Sequence, residues 1–173
     1  MNQHAQSTDG ETGQYVHGIR ENLGQFSQQL LQVFFVGLTI GLQRNVVPAL
    51  AEQEFGMAAG SFTLLMAFII SFGFVKGAMN FVAGRLSERV GRRKVLLWGW
   101  FAATPIPFMI LYAPSWNWIV AANVLLGVNQ GLCWTATILM MMDILGEKRR
   151  GLSTGLNEFF GYGGVALLTF ATG

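Results

Sequence analysis

Three ionisable side chains lie inside long apolar stretches of the chain, and they are its best candidates for chemistry. Arg44, Lys76 and Glu158 each stand in largely uncharged sequence. An ionised group at the centre of a bilayer costs at least about 3 kcal/mol on insertion scales. We therefore expect these side chains to face the interior of a helix bundle or a wet cavity. There the two cations could attract an anionic solute, and Glu158 could bind and release a proton.

Each of the three residues also has a purely structural explanation. Lys76 could extend its alkyl stem to the inner membrane surface, as long cationic side chains do. Arg44 could extend outward or pair with a helix end, and Glu158 could be a structural partner for Lys76 at a similar depth. The sequence leaves these alternatives open.

Amide side chains recur at helical spacing beside these charges. Asn80 follows Lys76 by four residues, and Asn123 and Gln130 lie seven apart. Residues at such spacings share one face of a helix. Stripes of small and polar residues are typical of close helix packing in lipid, and their polar members can also line a solute pathway. The predicted pathway residues are Arg44, Lys76, Asn80, Asn123, Gln130, Asn157 and Glu158.

A second concentration of charge lies between two apolar segments, at residues 84–94. Five of its eleven residues are basic, and it reads Gly-Arg-Leu-Ser-Glu-Arg-Val-Gly-Arg-Arg-Lys. Because glycines stand at both shoulders and the flanking sequence is apolar, we predict a short loop here. Short basic connections stay on the cytoplasmic side of a membrane, so this stretch sets the predicted orientation.

The composition is that of a membrane protein. The 173 residues are 52% hydrophobic and 12% charged, whereas soluble domains carry about 25% charged residues. Five apolar segments are each long enough for the roughly 20 residues that cross a bilayer, and helices satisfy every backbone group in lipid. We predict an all-α transmembrane helix bundle with a polar cytoplasmic tail at 1–28 and a transmembrane domain at 29–173. The spans are predicted near 29–51, 62–83, 95–113, 116–142 and 151–172.

The connections between these segments carry their positive charge on one side only. Eight of the eleven Lys and Arg residues lie in the second and fourth connections, at 84–94 and 148–150, and none lies in the first or third. This alternation predicts a multi-pass protein of the plasma (inner) membrane whose N-terminus is cytoplasmic.

Few residues remain for other kinds of function. Both histidines, His4 and His17, lie in the polar tail, and Cys133 is the single cysteine. We therefore predict no enzyme, no catalytic residue, no metal site and no cofactor. A net charge of +2 is too small to indicate nucleic acid. The expected partners are the lipid bilayer and a small solute.

The basic stretch at 84–94 resembles the signature between the second and third helices of the major facilitator superfamily. The similarity extends over nearly all of residues 29–173 and implies the first five helices of a six-helix half. The implied activity is secondary transport by alternating access, with the solute site between two such halves. The resemblance therefore also implies a missing C-terminal half as a partner, and we expect this sequence to be a partial chain.

The same resemblance implies a latch at the cytoplasmic end. In the family, the glycine matching Gly84 allows close approach of a helix from the other half, and the acid matching Glu88 faces the start of that helix, where the dipole favours negative charge. The arginine matching Arg92 contacts an acid on the fourth span, here Asp143. The family usually has Asp where this chain has Glu88. The implied latch residues are Gly84, Glu88, Arg89, Gly91, Arg92 and Asp143.

The charge count suggests a solute class. Two intramembrane cations against one acid favour an organic anion, with proton coupling through Glu158 as a further expectation. A drug/proton exporter of the same superfamily is an alternative, although Asn123 replaces the arginine that many exporters carry there and the fifth span lacks their Gly-Pro pattern. A second alternative is a five-span membrane scaffold or accessory subunit without transport of its own.

Overall fold

The computed structural model describes residues 15–58 and 61–173, and for residues 62–69 it describes the backbone only. All the regular structure in these residues is helical. The first half of the polar tail, including His4, lies outside the described residues. The helices are α1 (Leu23–Gln53), α2 (Phe62–Val90), α3 (Arg92–Ala103), α4 (Ile106–Leu111), α5 (Trp116–Leu145) and α6 (Arg150–Thr172), with a 3-10 turn at Glu147–Arg149.

The predicted all-α transmembrane bundle is confirmed. Three helical stretches in the described part of the chain are long and apolar enough to cross a membrane, namely Leu23–Gln53, Arg92–Leu111 and Trp116–Leu145. Helices α3 and α4 together form the third span. Helix α5 lies at the centre of the bundle, where it packs against each of the other five helices, and α1 packs most extensively against α6.

Glycines let α1 and α6 approach until their backbones touch. A Cβ atom at Gly37 would overlap the backbone oxygen of Gly161, and one at Gly164 would overlap that of Phe34. Such close contact is how helices associate in lipid, where no hydrophobic force draws them together. The glycines of α2 differ, because Gly77 and its neighbours on that stripe have nothing within 4 Å of a built Cβ. This face of α2 is therefore open.

The prediction of a loop at residues 84–94 was wrong. Helix α2 continues to Val90 and α3 begins at Arg92, so Gly91 is the only residue of the stretch outside a helix. Arginine, leucine and glutamate are good helix formers, so the helix continues after the apolar sequence ends. Gly91 turns the chain at φ +89° and ψ 146°, a region that suits glycine and strains residues with a Cβ.

We expect Gly91→Ala to lower the free energy of unfolding by about 1–3 kcal/mol, because alanine is strained at this backbone conformation. Gly84→Ala is the matched control, since Gly84 is helical and has nothing within 4 Å of its Cβ position. Thermal unfolding in detergent checks both variants. Equal melting temperatures for the two would contradict the proposed role of Gly91.

Two other boundaries differ from the predicted spans. The third span is interrupted at Thr104 and Pro105, where α3 ends and α4 begins. Proline has no N–H to donate and its ring clashes with the preceding turn, so it disfavours a continuous helix. The chain breaks at Pro105, whereas α1 accommodates Pro48 within its length. Helix α1 begins at Leu23, inside the segment predicted as a tail.

Candidate functional site

A lysine, a tryptophan and a glutamate from three helices meet inside the bundle. The Nζ atom of Lys76 on α2 lies 4.5 Å from the centroid of the Trp134 ring on α5. The indole Nε1–H of Trp134 donates a 2.7 Å hydrogen bond to Oε1 of Glu158 on α6. The described residues show no direct ion pair between Lys76 and Glu158, but the carboxylate is close enough to act electrostatically on the ammonium. Trp134 thus holds a cation on its face and an anion at its edge.

The three residues lie well inside their helices. Lys76 is 14 residues before the end of α2, which is about 21 Å at 1.5 Å per residue, and Glu158 is eight residues, about 12 Å, after the start of α6. Small residues allow the close packing around the cluster. A Cβ at Gly131 would lie 2.9 Å from the backbone oxygen of Lys76, and one at Gly161 would overlap the Trp134 ring. The cluster therefore depends on glycine at both positions.

A second aromatic ring extends the cluster. Tyr162 lies edge-on to Trp134, with ring centroids 5.5 Å apart and an interplanar angle of 67°. Trp134 is 6% exposed whereas Tyr162 is 56% exposed. The cluster thus has a buried floor and an open side. Aromatic faces beside a carboxylate attract ammonium cations, and this site already holds one.

The other predicted pathway residues occupy different places. Asn80, one helical turn from Lys76, accepts a 3.2 Å hydrogen bond from Oγ1 of Thr135, so the structure brings it beside the cluster on the same face of α2. Gln130 is buried and joins α5 to α1, because its Nε2 donates to the oxygen of Val36 at 2.8 Å. Asn123 is also buried. Neither amide atom of the buried Asn157 has a hydrogen-bond partner within the described structure.

Arg44 is not brought to the cluster. It is exposed, and it forms no ion pair with any of the described residues. Asn45 donates a 2.6 Å hydrogen bond to the oxygen of Thr169 on α6, which places Arg44 level with a residue about ten positions beyond Glu158. At 1.5 Å per residue, Arg44 and Glu158 are separated in depth by about 15 Å.

The residues predicted for the latch are partly brought together. The guanidinium of Arg92, at the start of α3, forms an ion pair with Asp143 near the end of α5 and donates a hydrogen bond to the oxygen of Leu139. Glu88 and Arg89 are exposed, and Glu88 forms no salt bridge with the described residues, although it is close enough to act electrostatically on the Arg92 guanidinium. Gly84 has open space beside it. The structure thus brings Arg92 and Asp143 together and leaves Gly84 and Glu88 accessible.

The segment before α1 packs against the same end of α5. His17 Nδ1 lies 2.8 Å from the backbone oxygen of Asp143, and the Gly18 N–H donates to the oxygen of Ile144 at 3.0 Å. A cleft of about 1120 Å³ opens beside this contact, between the ends of α1, α3 and α5.

Residues 30–173 match the family described as Major Facilitator Superfamily. The chain belongs to the major facilitator superfamily. It is 29% identical over 94 residues to "Organic cation/carnitine transporter 2" of Homo sapiens. It is 28% identical over 94 residues to "Solute carrier family 22 member 4" of Mus musculus. Each match covers 53% of this chain and only 17% of the relative. No solved structure matches the chain.

Two residues of the cluster were not among the predicted pathway residues of this superfamily chain. Trp134 follows Gln130 by four positions, and Tyr162 follows Glu158 by four. Each therefore lies on the same helical face as a predicted residue. That spacing was the available signal, but an aromatic residue at such a position more often packs in a core than binds a ligand.

Proposed function

We propose that this chain is part of a secondary transporter that carries a small organic cation across the plasma membrane by alternating access. The observation that carries the proposal is the ammonium of Lys76 on the face of Trp134, with Glu158 hydrogen-bonded to the same indole. A site that binds the ammonium of Lys76 has the charge and the aromatic surface to bind the ammonium of a solute in its place. The relative from Homo sapiens whose name includes an organic cation supports the same class.

An organic anion is the second candidate. Its prediction rested on counting two cations against one acid. In the structure Lys76 lies beside Trp134 and Glu158, so the cluster offers an anion no unopposed positive charge. Arg44 favours the anion, because it is exposed and has no ion-pair partner in the described part of the chain. A site for an anion would therefore centre on Arg44, about 15 Å in depth from Glu158.

The proposal includes three further elements. Glu158 couples transport to protons by exchanging a proton at the cluster. The N-terminus lies in the cytoplasm, which the one-sided Lys and Arg residues support. A second half supplies the opposite wall of the pathway, and the latch of Gly84, Glu88, Arg89, Gly91, Arg92 and Asp143 engages it. Open space at Gly84 and the exposure of Glu88 support this last element.

Transport assays on the intact transporter in liposomes test the solute class. We expect uptake of tetramethylammonium but not of benzoate, and we expect Glu158→Gln to weaken the apparent affinity for tetramethylammonium about tenfold, equivalent to about 1.4 kcal/mol. Glu52→Gln is the control, because Glu52 is exposed near the opposite end of the bundle. Uptake of benzoate but not of tetramethylammonium would show that the transported solute is an anion. Proton coupling fails if Glu158→Gln keeps the pH dependence of the parent.

A further inference from the structure

We propose that Lys76 is a tethered competitor of the transported cation: its ammonium occupies the Trp134 face when the site is empty, and the substrate must displace it. This inference rests on the proposed cation transport. Lys76 then determines which cations are transported, since each must compete with an ammonium that is permanently present.

The ammonium of Lys76 already occupies the face of Trp134. The Lys76 ammonium lies 4.5 Å from the Trp134 ring centroid, within the range in which a cation is attracted to an aromatic face. Among the residues that the structure describes, only the carboxylate of Glu158 is hydrogen-bonded to that indole. One face and one negative charge cannot favourably hold two cations in contact, because like charges at such distances repel strongly in a partly buried site. A second cation can bind on Trp134 only if Lys76 leaves.

The side chain of Lys76 has room to leave the face of Trp134. Built Cβ atoms at Gly73 and Gly77, on either side of it along α2, meet nothing within 4 Å. One helical turn towards the cytoplasmic end, the Oδ1 of Asn80 already accepts from Thr135, and its second lone pair can accept from the ammonium because this residue is exposed. The four-carbon stem of lysine can therefore swing from the indole towards Asn80 without a change in the backbone.

The empty transporter needs a positive charge near Glu158. Without a substrate, an isolated Glu158 carboxylate beside a buried indole would be costly in a membrane. Lys76 supplies the compensating charge, so the empty site is neutral overall. Displacement by a substrate cation restores the same balance at Trp134 while Lys76 moves to the more exposed region near Asn80. The charge of Glu158 is thus compensated in both states, by Lys76 or by the substrate, while the displaced ammonium lies near the exposed Asn80.

Titration calorimetry of tetramethylammonium against the intact transporter tests the tether. If Lys76 occupies the site about nine-tenths of the time, its removal should tighten the apparent binding about tenfold. The reason is that the fraction of transporters with a free Trp134 face rises from about one-tenth to one. Lys76→Met removes the charge while keeping the length and should show this tightening, whereas Lys76→Arg keeps a cation on the ring and should not show it. Lys148→Met is the control, because Lys148 is exposed on the turn before α6.

The outcomes separate the tether from the proposed transport. If the parent binds tetramethylammonium and Lys76→Met binds it equally or more weakly, the tether is wrong and the cation site stands. If neither protein binds it, the proposed cation transport fails. If Lys76→Met is poorly folded, the rate of acetylation of Lys76 in the parent serves as the test instead of binding to the variant. Tetramethylammonium should speed this reaction by exposing the amine. Slower acetylation with tetramethylammonium present overturns the tether.

Discussion

Replacing Gly37 with alanine is expected to force α1 and α6 apart and to lower the free energy of unfolding by about 1–3 kcal/mol, the usual cost of overpacking. The added Cβ would overlap the backbone oxygen of Gly161, which cannot rotate away as a flexible side chain can. The helices must therefore separate along the most extensive contact in the bundle. Thermal unfolding in detergent, followed by circular dichroism, measures the effect.

Gly24→Ala is the matched control on the same helix, because nothing lies within 4 Å of its Cβ position. We expect it to be neutral or slightly stabilising, since alanine is the better helix former. The effect of Gly37→Ala should extend to the cluster, because Gly161 also lies against the Trp134 ring. Unchanged melting of Gly37→Ala would show that the two helices need not touch.

Reversing the charge of Asp143 is expected to abolish transport, because Asp143→Arg places two guanidinium groups together where Arg92 now has an acid. Juxtaposed like charges repel each other and would oppose the packing of the start of α3 against the end of α5. The exchange of both residues, Arg92→Asp with Asp143→Arg, should restore a measurable part of the transport rate. Solute uptake by the intact transporter in liposomes provides the measurement.

Two comparisons isolate the ion pair from general effects of charge. Glu147→Arg breaks the pair between Glu147 and Arg150, whose side chains are 88% and 62% exposed, and it should change uptake little. Asp143→Asn should alter stability by less than about 1 kcal/mol, because the Asp143 side chain is 57% exposed. If the double exchange were as inactive as Asp143→Arg alone, the pair itself would not be what transport requires.

The helical architecture could be predicted because five long apolar segments have no other way to cross lipid. Where the helices end could not be read from the same signal. Hydropathy reports the part of a helix inside the hydrocarbon, so it ended the second span at residue 83 while the helix continues to Val90. The break at Pro105 carried a local signal, the missing N–H of proline, which the apolar run concealed.

The site was predicted less completely than the fold. Lys76 and Glu158 stood out because charge is rare in apolar segments. Their meeting through Trp134 depends on how α2, α5 and α6 are rotated about their axes, and that is decided by contacts such as Gly131 against Lys76. The sequence of a single helix, taken alone, does not contain that information. Arg44 stood out for the same reason as Lys76, yet it lies about 15 Å in depth from Glu158.

The position of Cys133 has a practical consequence for following this protein's motion. It is the single cysteine, its side chain is fully buried, and its Sγ lies 3.5 Å from the backbone oxygen of Leu96. Bulky thiol reagents need an exposed sulfur, so within this chain they should pass over Cys133 and react with cysteines introduced at the surface. Pairs of spin labels or fluorophores could therefore be attached to the exposed faces of α2 and α6 in the native background. The distance between them would report directly whether the two walls of the cluster move when a solute binds.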